Sequence, residues 1–425
     1  MNLKNKVDIK TIAISFTEGR VIRDFFENDL VIKLQHEGYK VIFISAAERV
    51  PAFKQYWEAQ GVNVYPLLPY TPSSNELRIE NIRKRIKAKS TYWHHWILKR
   101  YATYYRTDNT LETILKKEKC TIVLVTNPMY RQETQVWSTA KKLGIKTIGA
   151  VRSWDNLHQG LRIYPDELLV WNEVNKQEAV ELMGFPEDKI HITGACQFDQ
   201  YFNQDYVKSK RQFCDELKLD PNRPILTLAS IGSLWPGYDE NYMADQLIEL
   251  ITSKQIPGNP QLVIRLHPVS KYECFVPYLK YDFVRISNIP NQIPVLGWTM
   301  KKEEVGFVGN LLRHSDLVIS PGSTITIETA IFDTPTLFPT YHTYQPEYGK
   351  QCYDIVLAMH HKRIRDLKLA NFIEQPEDLL PAILRSLKEK SWYKEEREKL
   401  FKDYIVFNDG KSTERLAKFL IKQGG

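Results

Sequence analysis

Short runs of apolar and β-branched residues alternate along this chain with longer stretches whose apolar positions recur at helical spacing. In the first half the runs are TIAISF (11–16), KVIFIS (40–45), VNVYPLL (62–68), TIVLVT (121–126), KTIGAV (146–151), ELLVWN (167–172) and KIHITG (189–194). Runs this continuously apolar fit strands buried on both faces, as in a parallel sheet covered by helices. Helices are predicted between them, for example over Asp24–His36 and Gln132–Leu143. HEGYK at 36–40 reads as a helix ending at a Gly C-cap before the next strand. The second half repeats the plan with PILTLAS (224–230), QLVIRLHP (261–268), DFVRIS (282–287), SDLVIS (315–320) and TPTLFP (334–339).

This alternation predicts the α/β class, with two tandem Rossmann-like, doubly wound domains and a cleft between them. The 425 residues exceed what one core usually organises. The first domain is assigned to 1–198 and the second to 224–400. A polar, aromatic connection at 199–223 joins them, and a closing helix at 401–425 is expected to pack back on the first domain. No short-period repeat points to a solenoid.

Composition is that of an ordinary globular protein, 43% hydrophobic and 26% charged. The net charge of +7 suits phosphorylated substrates, nucleotides or anionic lipid without choosing among them. The five cysteines are Cys120, Cys196, Cys214, Cys274 and Cys352, none at CxxC spacing, which argues against a disulfide framework or structural zinc and for a reducing cytoplasm. The polar N-terminus does not read as a signal peptide, and no apolar run reaches the roughly 20 residues of a membrane span. The expected location is cytoplasmic, with peripheral attachment to the inner face of the membrane as an option.

Ligands of open α/β sheets bind outside the carboxyl ends of the strands. In the first half those ends carry Thr17-Glu18-Gly19-Arg20, Asn127-Pro128-Met129-Tyr130-Arg131 and Arg152-Ser153-Trp154-Asp155-Asn156. In the second half they carry Ile231-Gly232-Ser233, His267-Pro268 and Pro321-Gly322-Ser323-Thr324, with Glu328 one helical turn later. SPGSTITIETAIF is the strongest signal. A small-residue turn enters a helix that Ser323 or Thr324 can cap, and the N–H groups there suit an anion. Glu328 is placed to accept hydrogen bonds from ribose hydroxyls. The alternative is a plain capped helix with a solvent-facing Glu. His267 at its strand end suits a charge-assisted bond to a diphosphate, and Gly232-Ser233 supplies a second phosphate-approaching turn. No P-loop, GxGxxG, HExxH, EF-hand, GxSxG or Asp-x-Asp pattern occurs, so no metal or other cofactor is expected.

RLHP and SDLVISPGSTITIETAIFDTP resemble the second domain of GT-B glycosyltransferases, and DGKSTERLAKFL (409–420) resembles the closing helix of bacterial surface-polymer transferases. Among these, CDP-glycerol glycerophosphotransferases and capsule or lipopolysaccharide transferases look most similar. The resemblance implies a metal-independent, inverting transfer from a nucleotide-activated sugar to a glycan or lipid-linked acceptor in polysaccharide biosynthesis. Ser233, His267, Ser320, Gly322, Ser323, Thr324 and Glu328 would bind the donor. A CDP-glycerol-type polyol-phosphate transferase and a nucleotide-sugar epimerase of the same fold are the alternatives. The glycerophosphotransferases carry Trp-His-Gly-Thr after a first-half strand. Here Trp154 matches the Trp and Asp155 stands where the His would be.

Asp155 is therefore the expected base and Glu18 its competitor, with Gly19, Arg152, Trp154 and Asn156 forming the acceptor pocket. Arg152 would pair with a substrate anion or with Asp155. Trp154 would stack on a sugar or pack in the core. The segment 80–106, ENIRKRIKAKSTYWHHWILKRYATYYR, is both basic and aromatic, which fits an anionic membrane surface or a surface helix pair burying its Trp residues. No nucleic-acid-binding signature accompanies it.

Overall fold

The computed structural model describes residues 10–87, 107–155, 157, 160–232, 241–287, 291–344 and 359–424. The chain divides into two units. Unit 1 comprises Met1–Asp199, Gln292–Lys301 and Asp409–Gly425, and unit 2 comprises Gln200–Asn291 and Lys302–Asn408.

In unit 1 the strands are β1 (Thr11–Ser15), β2 (Lys40–Ser45), β3 (Asn63–Pro66), β4 (Cys120–Val125), β5 (Lys146–Ala150), β6 (Glu167–Val170) and β7 (Ile190–Ile192). All are parallel, in the order β3-β2-β1-β4-β5-β6-β7. Their central residues, such as Ile12, Phe43, Leu124 and Ile148, are fully buried in the core, as double-sided coverage requires. The helix expected over Asp24–His36 is interrupted. A π-turn at Ile22–Phe26 precedes a regular helix at Leu30–His36, with Asp29 at φ +63° between them. Gly38, at φ +82°, then turns the chain into β2.

Unit 2 holds β8 (Ile225–Ala229), β9 (Gln261–Arg265) and β10 (Val284–Ile286). Unit 1 is then revisited by a small antiparallel hairpin of β11 (Gln292–Ile293) and β12 (Gly297–Trp298). The remaining strands of unit 2 are β13 (Leu317–Ile319), β14 (Thr336–Pro339) and β15 (Asn371–Ile373), giving a parallel sheet ordered β10-β9-β8-β13-β14-β15. In both sheets the order reverses beside the first strand, between β1 and β4 and between β8 and β13. Diverging connections leave a crevice at the carboxyl ends there.

The unit boundaries differ from the sequence division in three places. The stretch 199–223 is more than a connection: it contains a helix, Lys210–Leu217, opened by a Ser209/Gln212 capping box, and Phe213 packs with Ile225, Val263 and Leu311 in unit 2. Residues 292–301 belong to unit 1, and 401–408 remain with unit 2. The last helix, Ser412–Gly424, buries Leu416, Ala417 and Leu420 in the unit 1 core.

Candidate functional site

At the unit 2 reversal, three strand ends lie side by side. β8 runs into Ser230-Ile231-Gly232, its neighbour β9 into Leu266-His267-Pro268, and its other neighbour β13 into Ser320–Thr324. Ser230 ties two of them together, because its Oγ accepts the His267 backbone N–H at 2.8 Å. The Val269 N–H donates to His267 Nδ1 at 3.3 Å. An accepting Nδ1 assigns the proton of the neutral imidazole to Nε2, which can donate to an anion.

Gly232 sits at φ +79°, and a Cβ there would lie 2.5 Å from Val269 Cγ2 and 3.1 Å from His267 Nδ1. Only glycine lets this turn close on the histidine. Gly322 is at φ +116° with Phe338 beneath it. Ser323 Oγ accepts from the Ile325 N–H at 3.2 Å and lies 3.1 Å from Ser320 Oγ.

The expected helix after this turn is one turn long, Ile325–Glu328, and continues as a 3₁₀ segment at Thr329–Phe332. Thr324, in αR conformation, makes no side-chain cap. Any anion affinity therefore comes from turn N–H groups and His267 rather than from a long helix dipole. Glu328 is buried and accepts the Tyr201 hydroxyl at 2.5 Å, so it is not the solvent-facing residue of the plain-helix alternative. Ser233 and Asn156 lie outside the described residues.

Around the unit 1 reversal the chemistry is ionic. Glu18, just past β1, takes Arg20 Nη2 at 3.0 Å and Arg152 Nε at 3.1 Å. The Tyr130 hydroxyl also bonds to Glu18, and its pKa is raised by burial first and then by that carboxylate. Burial, followed by repulsion from Arg20, lowers the Arg152 pKa. Among the described residues Arg152 pairs with Glu18 and not with Asp155, one of the two partners expected for it. Trp154 is 3% exposed and its carbonyl accepts from Asn175 Nδ2 at 2.8 Å, so its ring is a core element rather than an open sugar platform. Asp155 follows in the same turn and is half-buried. The Gly19 N–H donates to Leu296 O at 2.8 Å, and a Cβ on Gly19 would meet Trp298 O at 2.5 Å. Gly19 is thus where the β11–β12 hairpin docks.

Several contacts here escaped sequence reasoning. Arg20 and Arg23 stack on Trp298, with Cζ 5.6 and 5.0 Å from the ring centroid. Glu133 is fully buried under the ends of β1 and β4. It accepts from Ser15 Oγ at 3.2 Å and from the Thr126 N–H at 3.0 Å. Burial pushes its pKa up to about 8 against the lowering effect of these hydrogen bonds. The signal available in sequence was the charge density of TEGRVIRD (17–24). Nothing there announced Trp298, which lies far along the chain. Among the described residues, no group of three or more His, Cys, Asp or Glu could hold a metal ion.

Two parallel Rossmann-type sheets in tandem, each reversing beside its first strand, constitute the GT-B architecture. Comparison with known proteins agrees with this at the level of fold. The UDP-GlcNAc 2-epimerase from Neisseria meningitidis, solved bound to UDP-GlcNAc, superposes with TM-score 0.57 at 15% identity, covering 97% of this chain and all of that one. The wall teichoic acid polymerase TagF gives TM-score 0.54 at 11% identity, covering 98% of this chain and 88% of that one. In sequence, the chain is 25% identical over 217 residues to the teichoic acid glycerol-phosphate primase of Bacillus spizizenii (strain ATCC 23059 / NRRL B-14472 / W23), 49% of this chain and 50% of the primase. The chain thus spans about half the length of the curated relative it matches. No protein-family model matches. No helix among the described residues is long and apolar enough to cross a membrane.

Proposed function

We propose that this protein is a GT-B glycosyltransferase that moves a sugar from a nucleotide-activated donor to a glycan or lipid-linked acceptor of a bacterial surface polysaccharide. The observation that carries the reading is the convergence of Gly232, His267 and the Ser320–Thr324 turn at the strand-order reversal of unit 2. A nucleotide diphosphate needs closely approaching N–H donors, and the N–H groups of these turns together with Nε2–H of His267 are assigned to it. Glu328, oriented by Tyr201, is assigned to the ribose. Asp155 in unit 1 is assigned as the base that takes the acceptor hydroxyl proton, in an inverting reaction that uses no metal. Glu18, already engaged by Arg20, Arg152 and Tyr130, is a weaker candidate.

A second reading, nucleotide-sugar epimerisation, is favoured by the fold likeness to a 2-epimerase. A third, polyol-phosphate transfer, is favoured by the sequence likeness to a glycerol-phosphate primase. Thermal-shift screening against UDP-, GDP-, CDP- and CMP-linked compounds, followed by turnover with and without acceptor, separates them. Stabilisation by one nucleotide series that His267→Ala removes, with turnover only when acceptor is present and undiminished in EDTA, is the expected result. Donor turnover without acceptor would make it an epimerase. Insensitivity to every nucleotide would overturn the reading.

Attachment to anionic membrane through 80–106 belongs to the same proposal. Of this stretch only 80–87, part of the helix Ser74–Lys87, is described. Flotation with phosphatidylglycerol vesicles should be lost when Arg83, Arg85 and Lys87 are changed to Glu.

A further inference from the structure

We infer that Arg20, Arg23, Arg152 and Trp298 form a second anion site, within unit 1, that takes a phosphate ester. On the transferase reading, this is the phosphate carried by the acceptor. Three guanidinium groups surround two carboxylates, Glu18 and Asp24. Arg20 and Arg152 hold Glu18, and Arg23 Nε donates to Asp24 Oδ1 at 2.6 Å. These five side chains by themselves sum to one positive charge. Glu133 does not balance it, because a carboxyl pushed up to about 8 by burial is mostly uncharged at neutral pH.

The surplus is held at a cost. Arg20 and Arg152 lie close enough to repel, and Arg152 is almost fully buried. Glu18 lies between the two and offsets part of that repulsion, and a further anion on the Arg20 side offsets more of it. The geometry also suits phosphate. Arg20 and Arg23 both lie over the face of Trp298, which orients the planar guanidinium forks, and Arg23 is further fixed by donating Nε to Asp24 and Nη2 to Gln197 Oε1. Arg20 donates Nη2 to Glu18 while its side chain is 32% exposed. Two buried hydroxyls that flank the cluster in sequence, Thr17 Oγ1 and Thr299 Oγ1, make no hydrogen bond to a described residue, as expected of groups that meet a ligand or water. The cavity behind Arg152, bordered by Asp24 and Gln197, is about 20 Å³, room for one water. The phosphate is thus placed on the outer, Arg20 side.

The test is calorimetric titration of the full chain with glycerol 3-phosphate and with inorganic phosphate, using glycerol as the neutral control. It is run in the wild type, in His267→Ala, in Arg20→Gln and in Arg20→Gln/Arg23→Gln. Binding of both phosphates but not glycerol is expected to survive His267→Ala. It should weaken about tenfold in Arg20→Gln and further in the double variant. Arg20→Gln is included because the double variant also releases Asp24 and can unsettle the fold.

Flotation with phosphatidylglycerol against phosphatidylcholine vesicles distinguishes the source of the phosphate. Retention of the Arg20-dependent step on phosphatidylglycerol alone assigns it to a lipid headgroup, whereas binding of the soluble esters assigns it to the acceptor chain. Unchanged affinity in Arg20→Gln, or loss of phosphate binding in His267→Ala alone, would overturn the site. Nucleotide binding without phosphate binding here removes this inference and leaves the proposed function. Phosphate binding here without nucleotide binding does the reverse.

Discussion

At the scale of single residues, the unit 1 carboxylates separate by environment. Glu18 is an ion-pair partner, Glu133 a buried acid, and Asp155 a half-buried turn residue beside a buried Trp. If Asp155 is the base, Asp155→Asn should cut kcat by about 10²–10⁴-fold while donor affinity stays within a factor of two or so. Single-turnover kinetics with donor titration checks this, and full activity in the variant removes the assignment. Glu133 makes a separate prediction about stability. In the unfolded chain it titrates near its ordinary value of about 4.3. Folded, it titrates at about 8. Between those limits the native state keeps a proton that the unfolded state releases, so Glu133 makes stability fall as pH rises from about 4.3 to about 8, by an amount of order a few kcal/mol. Gln keeps the acceptor for Ser15 and Thr126 and has no proton to lose. Glu133→Gln should therefore unfold at a higher urea concentration than wild type at pH 8 and at nearly the same one at pH 5. Parallel pH profiles for the two proteins would show that the carboxyl is not held protonated.

At the scale of elements, the strands were legible because a doubly covered parallel strand has to be apolar at almost every position, and the twelve runs read from the sequence each coincide with one to within a few residues at the ends. What stayed hidden obeys other rules. β15 opens on the polar Asn371 and is not set in a continuous apolar run, and each arm of the β11–β12 hairpin has two residues, too few to show a period. The break at Ile22–Phe26 preserves helical spacing of apolar residues, so periodicity passed over it. The strand-end turns of unit 2 were legible through Gly and His chemistry. The Arg–Trp298 cluster was not, because its members are brought together only by where the hairpin docks. That docking rests on the missing Cβ of Gly19, which makes a specific prediction. Gly19→Ala has to push back the carbonyl of Trp298, 2.5 Å from the new methyl. A cost of about 1–3 kcal/mol is expected. Hydrogen exchange should report it as faster exchange over 292–298, with the strands of unit 2 unaffected. Unaltered protection there would mean that the hairpin is held by other contacts.

At the scale of the whole molecule, unit 1 is discontinuous: the chain leaves it at Asp199, returns for Gln292–Lys301, and returns again at Asp409. Its last segment is structural in a measurable way. Asp199 accepts from the Ser412 and Thr413 N–H groups at 3.0 and 2.8 Å and so caps the start of the final helix. Leu416 and Leu420 are fully buried in the core beside Leu34 and Ile12. The Tyr39 hydroxyl donates to Ile421 O at 3.0 Å, and the close fit of Gly424 against the Tyr39 ring leaves no room for a side chain. Each large buried apolar side chain contributes roughly 1.5–3 kcal/mol, and removing the helix also exposes the carboxylate of Asp199 and the apolar face it covered. Against a net stability of about 5–15 kcal/mol for a typical domain, loss of 409–425 should leave unit 1 largely unfolded. Unit 2 contains none of these residues and should keep its own core. Peptide-level hydrogen exchange on a chain ending at Asn408 therefore ought to show lost protection in β1, β2 and β4 and native protection in β8, β9 and β13. Equal loss in both sheets would mean that the two units fold as one cooperative body, and full protection in β1 would mean that the helix is dispensable.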